Sequence, residues 1–226
     1  MSYSIAIDGP AGAGKSTIAR IVAKKAGCIY VDTGAMYRAM ALYLLRRGIP
    51  AGDEEAVSAA CGQACITLDH EAGEQVVYLN GENVNGLIRT QEVGDMASVT
   101  SRYSELRKNI VLTQQKLAQN KDVIMDGRDI GTCVLPNATV KIYLTASVEV
   151  RARRRYRELL QKGENCSLDS VAEEIRERDH RDMTREVSPL VQARDAVLVD
   201  TSDMDIDQAV EAILAVCRRK GCPFNA

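Results

Sequence analysis

Apolar residues along this chain alternate between short unbroken runs and longer stretches where they recur every three or four positions. The first pattern reads as strands buried on both faces, the second as helices packing one face. "YSIAID" (Tyr3 to Asp8) is such a run, followed at once by Gly, Pro, Ala and Gly. "KSTIARIVAKKAG" then predicts a helix with Ile18, Ile21 and Val22 on one face, Lys24 and Lys25 near its end, and Gly27 as its stop. "CIYVD" (Cys28 to Asp32) is a second strand, and "TGAMYRAMALYLLRRG" a long helix halted by Gly48 and Pro50. Strand, helix, strand, helix is the order of a parallel sheet with helices on both faces.

From about Ala51 to Arg89 the pattern changes. After a short helix, "ACITLDH", "EQVVYLNG" and "ENVNG" are brief runs parted by Gly73, Asn80-Gly81 and Asn85-Gly86, which predicts a small inserted antiparallel sheet. Helical spacing resumes over about Gln91 to Gln119. Strands are expected at "DVIMD", "TVKIYLTA" and "AVLVDT". Between them lie a helix with a basic run from Arg151 to Arg157 and a charged helix over about Leu168 to Arg185; "IDQAVEAILAVCRRKG" closes the chain. The expected fold is α/β, with a five-stranded parallel sheet, helices on both faces, a small inserted antiparallel β lobe and a helical lid.

Composition narrows the function. In 226 residues, 27% are charged and the net charge is -2, so no basic field points to nucleic acid or a membrane surface. Aromatics are 4% with no Trp, too few for a stacking platform. No apolar run approaches the roughly 18 residues of a membrane span, and the first strand leaves no room for a leader. Seven Cys without a C-x-x-C pair read as free thiols in a reducing cytoplasm. Cys61 and Cys65, expected on a helix, share a metal-ligand spacing, but His70 and His180 are both distant in sequence.

"GPAGAGKS" (Gly9 to Ser16) fits G-x-x-x-x-G-K-S, with a strand before it and a helix after it. Backbone N–H groups of such a turn cradle phosphate oxygens at a helix N-terminus. Lys15 is expected to reach the β and γ phosphates, and the Ser16 hydroxyl a Mg²⁺ ion. Guanine reading has no support. "NKDV" (Asn120 to Val123) puts its Asp one place early and precedes a strand, and no D-x-x-G occurs.

The arginines say more. An acceptor that itself carries phosphate needs its own clamp, preferably guanidinium. Arg38 follows the second strand, Arg128 leaves the strand at Val123–Asp126, and Arg89 and Arg107 flank the intervening helices. Arg178, Arg181, Asp182 and Arg185 fall at i, i+3, i+4 and i+7 on one helical face. Plain i,i+4 pairing of Arg178 with Asp182, and a solvated face for Arg151 to Arg157, remain open on spacing alone. Both runs flank a Gly163-containing turn that resembles a lid hinge.

These segments together resemble a bacterial-type cytidylate kinase of the nucleoside monophosphate kinase family. The resemblance rests on "IDGPAGAGKST", "DTGAMYRA", "GENVNGLIRTQEV", "MDGRDIGT", "KIYLTAS" before "RARRR", and "ERDHRDMTREVSPL", in family order from about Ile5 to Leu190. It implies a P-loop NTPase fold in a single domain over 1–226, with a nucleotide-binding lobe at about 38–100 and a lid at about 151–185. It implies phosphoryl transfer from ATP to CMP or dCMP with Mg²⁺, by a monomer with no nucleic-acid partner. Gly9, Pro10, Ala11, Gly12, Ala13, Gly14, Lys15, Ser16 and Thr17 would bind the ATP phosphates. Arg151, Arg154, Arg155 and Arg181 look like lid cations closing over ATP. Thr33, where relatives often have Ser, Tyr37 and Arg38 would lie along the acceptor, Ser98 and Arg107 at the cytosine, with Asp129 beside them. Arg128 matches a clamp on the acceptor phosphate, and Arg178, Asp182 and Arg185 surround the acceptor ribose and phosphates. Lys15, Arg128, Arg181 and Arg185 are the expected catalytic cations.

Base chemistry points the same way for Asp129. A carboxylate accepts from the exocyclic amino group of cytosine, whereas uracil presents a carbonyl there. Two other readings are open: a shikimate-like small-metabolite kinase, which leaves the inserted lobe unexplained, and a regulatory nucleotide-binding protein, which leaves the second set of arginines idle.

Overall fold

The computed structural model describes residues 2–71, 73–119 and 121–222. Two compact units make it up: Met1–Tyr30 together with Asn120–Ala226, and Val31–Gln119.

In chain order the first unit begins with β1 (Ser4–Asp8) and α1 (Lys15–Ala26), and β2 (Ile29–Asp32) straddles the division. The second unit follows with α2 (Thr33–Arg46), α3 (Glu54–Cys61), β3 (Ile66–Glu71), β4 (Glu74–Leu79), β5 (Glu82–Asn83), α4 (Gln91–Thr100) and α5 (Ser104–Ala118). The chain re-enters the first unit with β6 (Val123–Gly127), a π turn (Ile130–Val134), β7 (Val140–Thr145), α6 (Val148–Gln161), α7 (Leu168–Thr184), β8 (Val197–Asp200) and α8 (Ile206–Arg219).

The five-stranded sheet has the order β2-β6-β1-β7-β8. β1 sits at its centre, parallel to both β6 and β7, and is buried almost throughout. That is why "SIAID" carries no outward polar alternation. Ile5, Ile7, Ile124, Ile142 and Leu144 pack there with Ile18 and Val22 of α1 and with Val210 and Ile213 of α8. Ala152 and Leu159 of α6 pack against Val171 and Ile175 of α7 in a smaller cluster.

The second unit has its own core, in which Met36, Met40 and Leu44 of α2 meet Val77 and Leu79 of β4 and Leu106 and Ile110 of α5. Its antiparallel sheet, in the order β3-β4-β5, is the inserted lobe the turn residues predict. Two local expectations change. "ENVNG" contributes only a two-residue strand. The helical stretch over Gln91 to Gln119 holds two helices, parted at Ser101–Tyr103. Cys65 is not helical, because α3 ends at Cys61 with Gly62 as its cap. Asn120 of "NKDV" and residues 223–226 of the tail lie outside the described residues.

Candidate active site

β1 delivers the chain directly into the Gly-rich turn. Gly9 has φ 151°, and a Cβ there would lie 1.9 Å from the Leu144 carbonyl oxygen, so the turn can leave the sheet only at a residue without a side chain. Gly14, in the left-handed region, is the last residue before α1. Lys15 opens that helix and is buried, its Nζ donating to the Pro10 carbonyl at 2.7 Å. Burial and the neighbouring Arg128 push its pKa well below the usual lysine value, against the pull of Asp126, Asp182 and Asp8. Pro10 and Ala13 are also buried, Ala11 and Gly14 half-buried, and Gly12 and Thr17 exposed.

Ser16 Oγ donates to Asp126 Oδ2 at 2.8 Å, and the Tyr30 hydroxyl donates to Asp126 Oδ1 at 2.8 Å. Both oxygens of this buried strand-end carboxylate are therefore held, one of them by the hydroxyl expected at a metal. Among the described residues, no group of three or more His, Cys, Asp or Glu is placed to hold a metal ion.

β6 lies beside β1 in register, with Gly127 opposite Asp8, and the "GRD" turn leaves the sheet at that point. Arg128 Nε donates to Asp182 Oδ2 of α7 at 2.7 Å. Burial alone would raise the Asp182 carboxyl, but the Arg128 guanidinium, with Arg178 and Arg185, holds it below the usual range. Asp129 is buried and faces Arg185 Nη2 at 3.7 Å, while Arg185 Nε donates to the Ser188 carbonyl at 2.6 Å. After Asp129 the backbone makes a π turn, closed by Val134 N–H to the Asp129 carbonyl and Leu135 N–H to the Ile130 carbonyl. Asp8 caps this turn. Its two oxygens accept from Ile130 N–H and Gly131 N–H, both at 2.7 Å. Burial pushes the Asp8 carboxyl up to about 6, although both N–H groups favour the ionised form.

The expected lid arginines separate. Arg151 is buried: Nη1 donates to the Ala11 carbonyl at 3.0 Å, Nε to the Ala146 carbonyl at 2.8 Å, and Nη2 pairs with Asp179 at 2.7 Å. It holds the phosphate turn from behind. Arg154 bonds the Thr201 carbonyl at 2.8 Å with its guanidinium beside Gly14. Arg155 pairs with Glu158 on the surface, and Arg181 is exposed on α7. Arg178 is half-buried there.

The second unit holds the other expected residues. Thr33 is buried at the start of α2, after the Asp32 cap that accepts from Ala35 N–H and pairs with Arg89 at 2.6 Å. Arg38 lies against Gly94 of α4, where a Cβ would come 3.0 Å from its Nη1. Ser98, one turn beyond Gly94, has a buried Oγ with no hydrogen-bond partner among the described residues. Arg107 is 3% exposed, lies over the Tyr37 ring at 5.4 Å, and donates to the Ser101 carbonyl at 2.9 Å.

Asp8, Tyr30, Asp179 and Gly94 are absent from the sequence-derived set. Asp8 carries a readable signal, an acid ending an apolar strand just before a glycine. Tyr30, Asp179 and Gly94 show no local mark, since their partners lie far along the chain or on another helix.

The cytidylate kinase family model matches residues 5–219. The cytidylate kinase of Bacillus licheniformis is 50% identical over 96% of each chain, and that of Ligilactobacillus salivarius 48% identical over 96% of each. Among solved structures, a shikimate kinase from Acinetobacter baumannii in complex with shikimate aligns with 98% of this chain and 96% of its own, at TM-score 0.49 and 15% identity. With a phosphate turn, a "GRD" turn and the arginine-rich α6 and α7 in family order, the chain belongs to the cytidylate kinase family.

Proposed function

We propose that this chain transfers the γ-phosphoryl group of ATP to CMP or dCMP, giving ADP and CDP or dCDP, in pyrimidine nucleotide metabolism. The observation that carries the reading is the pairing, within one unit, of a lysine-bearing phosphate turn with a turn presenting Arg128 and a buried Asp129. The first suits a triphosphate. The second suits an acceptor with both a phosphate and a base.

Phosphoryl transfer asks a protein mainly to position two anions and neutralise their repulsion. Lys15 exchanges the Pro10 carbonyl for a phosphate oxygen. Arg128, now on Asp182, grips the acceptor phosphate, with Arg178, Arg181 and Arg185 of the α7 segment adding positive charge. Asp129 accepts from the cytosine amino group; the family resemblance assigns Ser98 and Arg107 to the base and Thr33, Tyr37 and Arg38 to the acceptor. Arg154 and Arg155 serve ATP. The segments at about 38–100 and 151–185 act as nucleotide lobe and lid of a single kinase domain.

Mg²⁺ fits the donor set. A hydroxyl and a carboxylate beside a phosphate turn are hard oxygen ligands, so Ser16, backed by Asp126, would hold the ion. When bound it supplies charge neutralisation across the phosphate oxygens. Among the described residues no helix is long and apolar enough to cross a membrane. The seven free thiols support a reducing cytoplasm, where we place a monomer without nucleic-acid partners.

A coupled assay of ADP release with CMP, dCMP, UMP, AMP and shikimate tests this reading. CMP and dCMP should be turned over far faster than the rest. Preferential use of shikimate, or ATP binding without transfer to any acceptor, overturns it.

A further inference from the structure

We propose that Asp8 is the positioning residue for the acceptor-reading turn: its carboxylate clamps the backbone of Ile130 and Gly131 and thereby sets Arg128 and Asp129. The inference rests on the reading of those two residues given above, and extends it to a residue that touches neither nucleotide.

Three observations lead there. First, Asp8 is 5% exposed, and each of its oxygens accepts one short bond from a turn N–H group. The lysine beside it makes its own bond to Pro10, so the carboxylate's hydrogen bonds go to the turn. Second, the sheet register puts Asp8 between Gly127 of β6 and Tyr143 of β7. The turn therefore leaves the sheet beside the residue that clamps it, and the residue after Asp8 is already the first glycine of the phosphate turn. One side chain thus ties the triphosphate turn to the acceptor turn. Third, a single π turn is a rare conformation, and its leading N–H groups have no partner within it. Buried N–H groups left without acceptors are costly, so the turn persists because Asp8 supplies both acceptors.

Gly131 belongs to the same device. A Cβ there would meet Asp8 Oδ2 at 3.3 Å and Lys141 Cδ at 3.2 Å. A side chain at 131 crowds Asp8 Oδ2 and the Lys141 chain, so one of them must give by a few tenths of an ångström while the carboxylate itself is unaltered.

The test compares Asp8→Asn, Gly131→Ala and Asp129→Asn in the full chain, by steady-state kinetics with CMP and UMP and by calorimetric titration of ATP without acceptor. Asparagine keeps the size of Asp8 but turns a donor toward one N–H. Loss of one such bond predicts an approximately tenfold rise in the KM for CMP and a narrowed CMP-over-UMP ratio. ATP affinity should stay within about threefold. Gly131→Ala should move the same way by less, and it carries the test if Asp8→Asn does not fold. Equal weakening of ATP and CMP with the CMP-over-UMP ratio intact overturns the clamp and leaves Asp8 a support of the phosphate turn. A ratio narrowed by Asp129→Asn but untouched by both clamp variants sinks the clamp alone. If it narrows in the clamp variants but not in Asp129→Asn, the base reading falls and the clamp stands; no change in any variant sinks both.

Discussion

Opposite charges meet in both units, but under different conditions. Around the phosphate turn and the "GRD" turn of the first unit the pairs are buried on both sides, Arg151 with Asp179 at 5% and 11% side-chain exposure and Arg185 with Asp129 at 6% each, while pairs such as Arg155 with Glu158 lie on its surface. In the second unit two paired arginines stand in water. Arg46 pairs with Glu82 at 42% and 49%, and Arg89 with Asp32 at 54% and 8%. A buried ion must be paired, because desolvation is recovered only through its partner, whereas an exposed one loses little when its partner goes. In the first unit Arg128, Arg151 and Arg185 are thus ordered by the carboxylates of Asp182, Asp179 and Asp129. In the second unit Arg107 is deeply buried on a tyrosine face and a backbone carbonyl.

Removing the central cation should have the largest effect. Lys15→Ala is expected to lower turnover beyond about a thousandfold, the scale of losing a charge aimed at the transition state, while circular dichroism and the thermal transition stay close to wild type. Near-normal turnover breaks the phosphoryl-transfer reading. Arg151→Ala comes next and acts on stability. It leaves Asp179 buried without its cation and frees the Ala11 carbonyl, a loss of about 3–5 kcal/mol that lowers Tm by roughly 10 °C. An unchanged Tm would show that Arg151 is an ATP-facing lid cation after all.

The same contrast explains what was legible in the sequence. "GPAGAGKS" is read correctly because a strand, a glycine turn and a helix are adjacent in sequence and their chemistry is local. The sheet follows from apolar runs that cannot alternate when both faces are covered. Arg151 is the harder case: in a basic run its neighbours Arg153 and Arg157 are exposed, and nothing in the sequence tells which arginine of "RARRR" turns inward to a phosphate-turn carbonyl. The π turn was also invisible. "DIGTCV" has no propensity for it, and its acceptors come from Asp8, more than a hundred residues earlier.

Titration of Asp8 sharpens the comparison at the next scale. Its folded pKa is raised from 3.8 to about 6, so between those values the folded state holds more protons than the unfolded one. The contribution is fully present below about pH 4 and is lost as pH rises through about 6. Asparagine does not titrate, so the stability gap between wild type and Asp8→Asn should shift against wild type by about 3 kcal/mol from pH 4 to pH 7. Urea unfolding at both pH values measures it; a pH-independent gap would mean that the two N–H bonds cancel the effect of burial, and a gap moving in favour of wild type that they outweigh it.

The smallest effect belongs to the second unit. Arg46 and Glu82 make two guanidinium–carboxylate bonds, at 2.5 and 2.9 Å, a better geometry than the 3.7 Å contact between Arg185 and Asp129. If geometry alone set the worth of a pair, Arg46→Ala would rank with Arg151→Ala. Both partners stand in water, however, where the Coulomb gain is screened and holding two long side chains still costs entropy. Arg46→Ala should therefore leave the thermal transition without a resolvable shift and leave CMP kinetics unchanged. A loss comparable to that of Arg151→Ala would mean that burial is not what separates the two units.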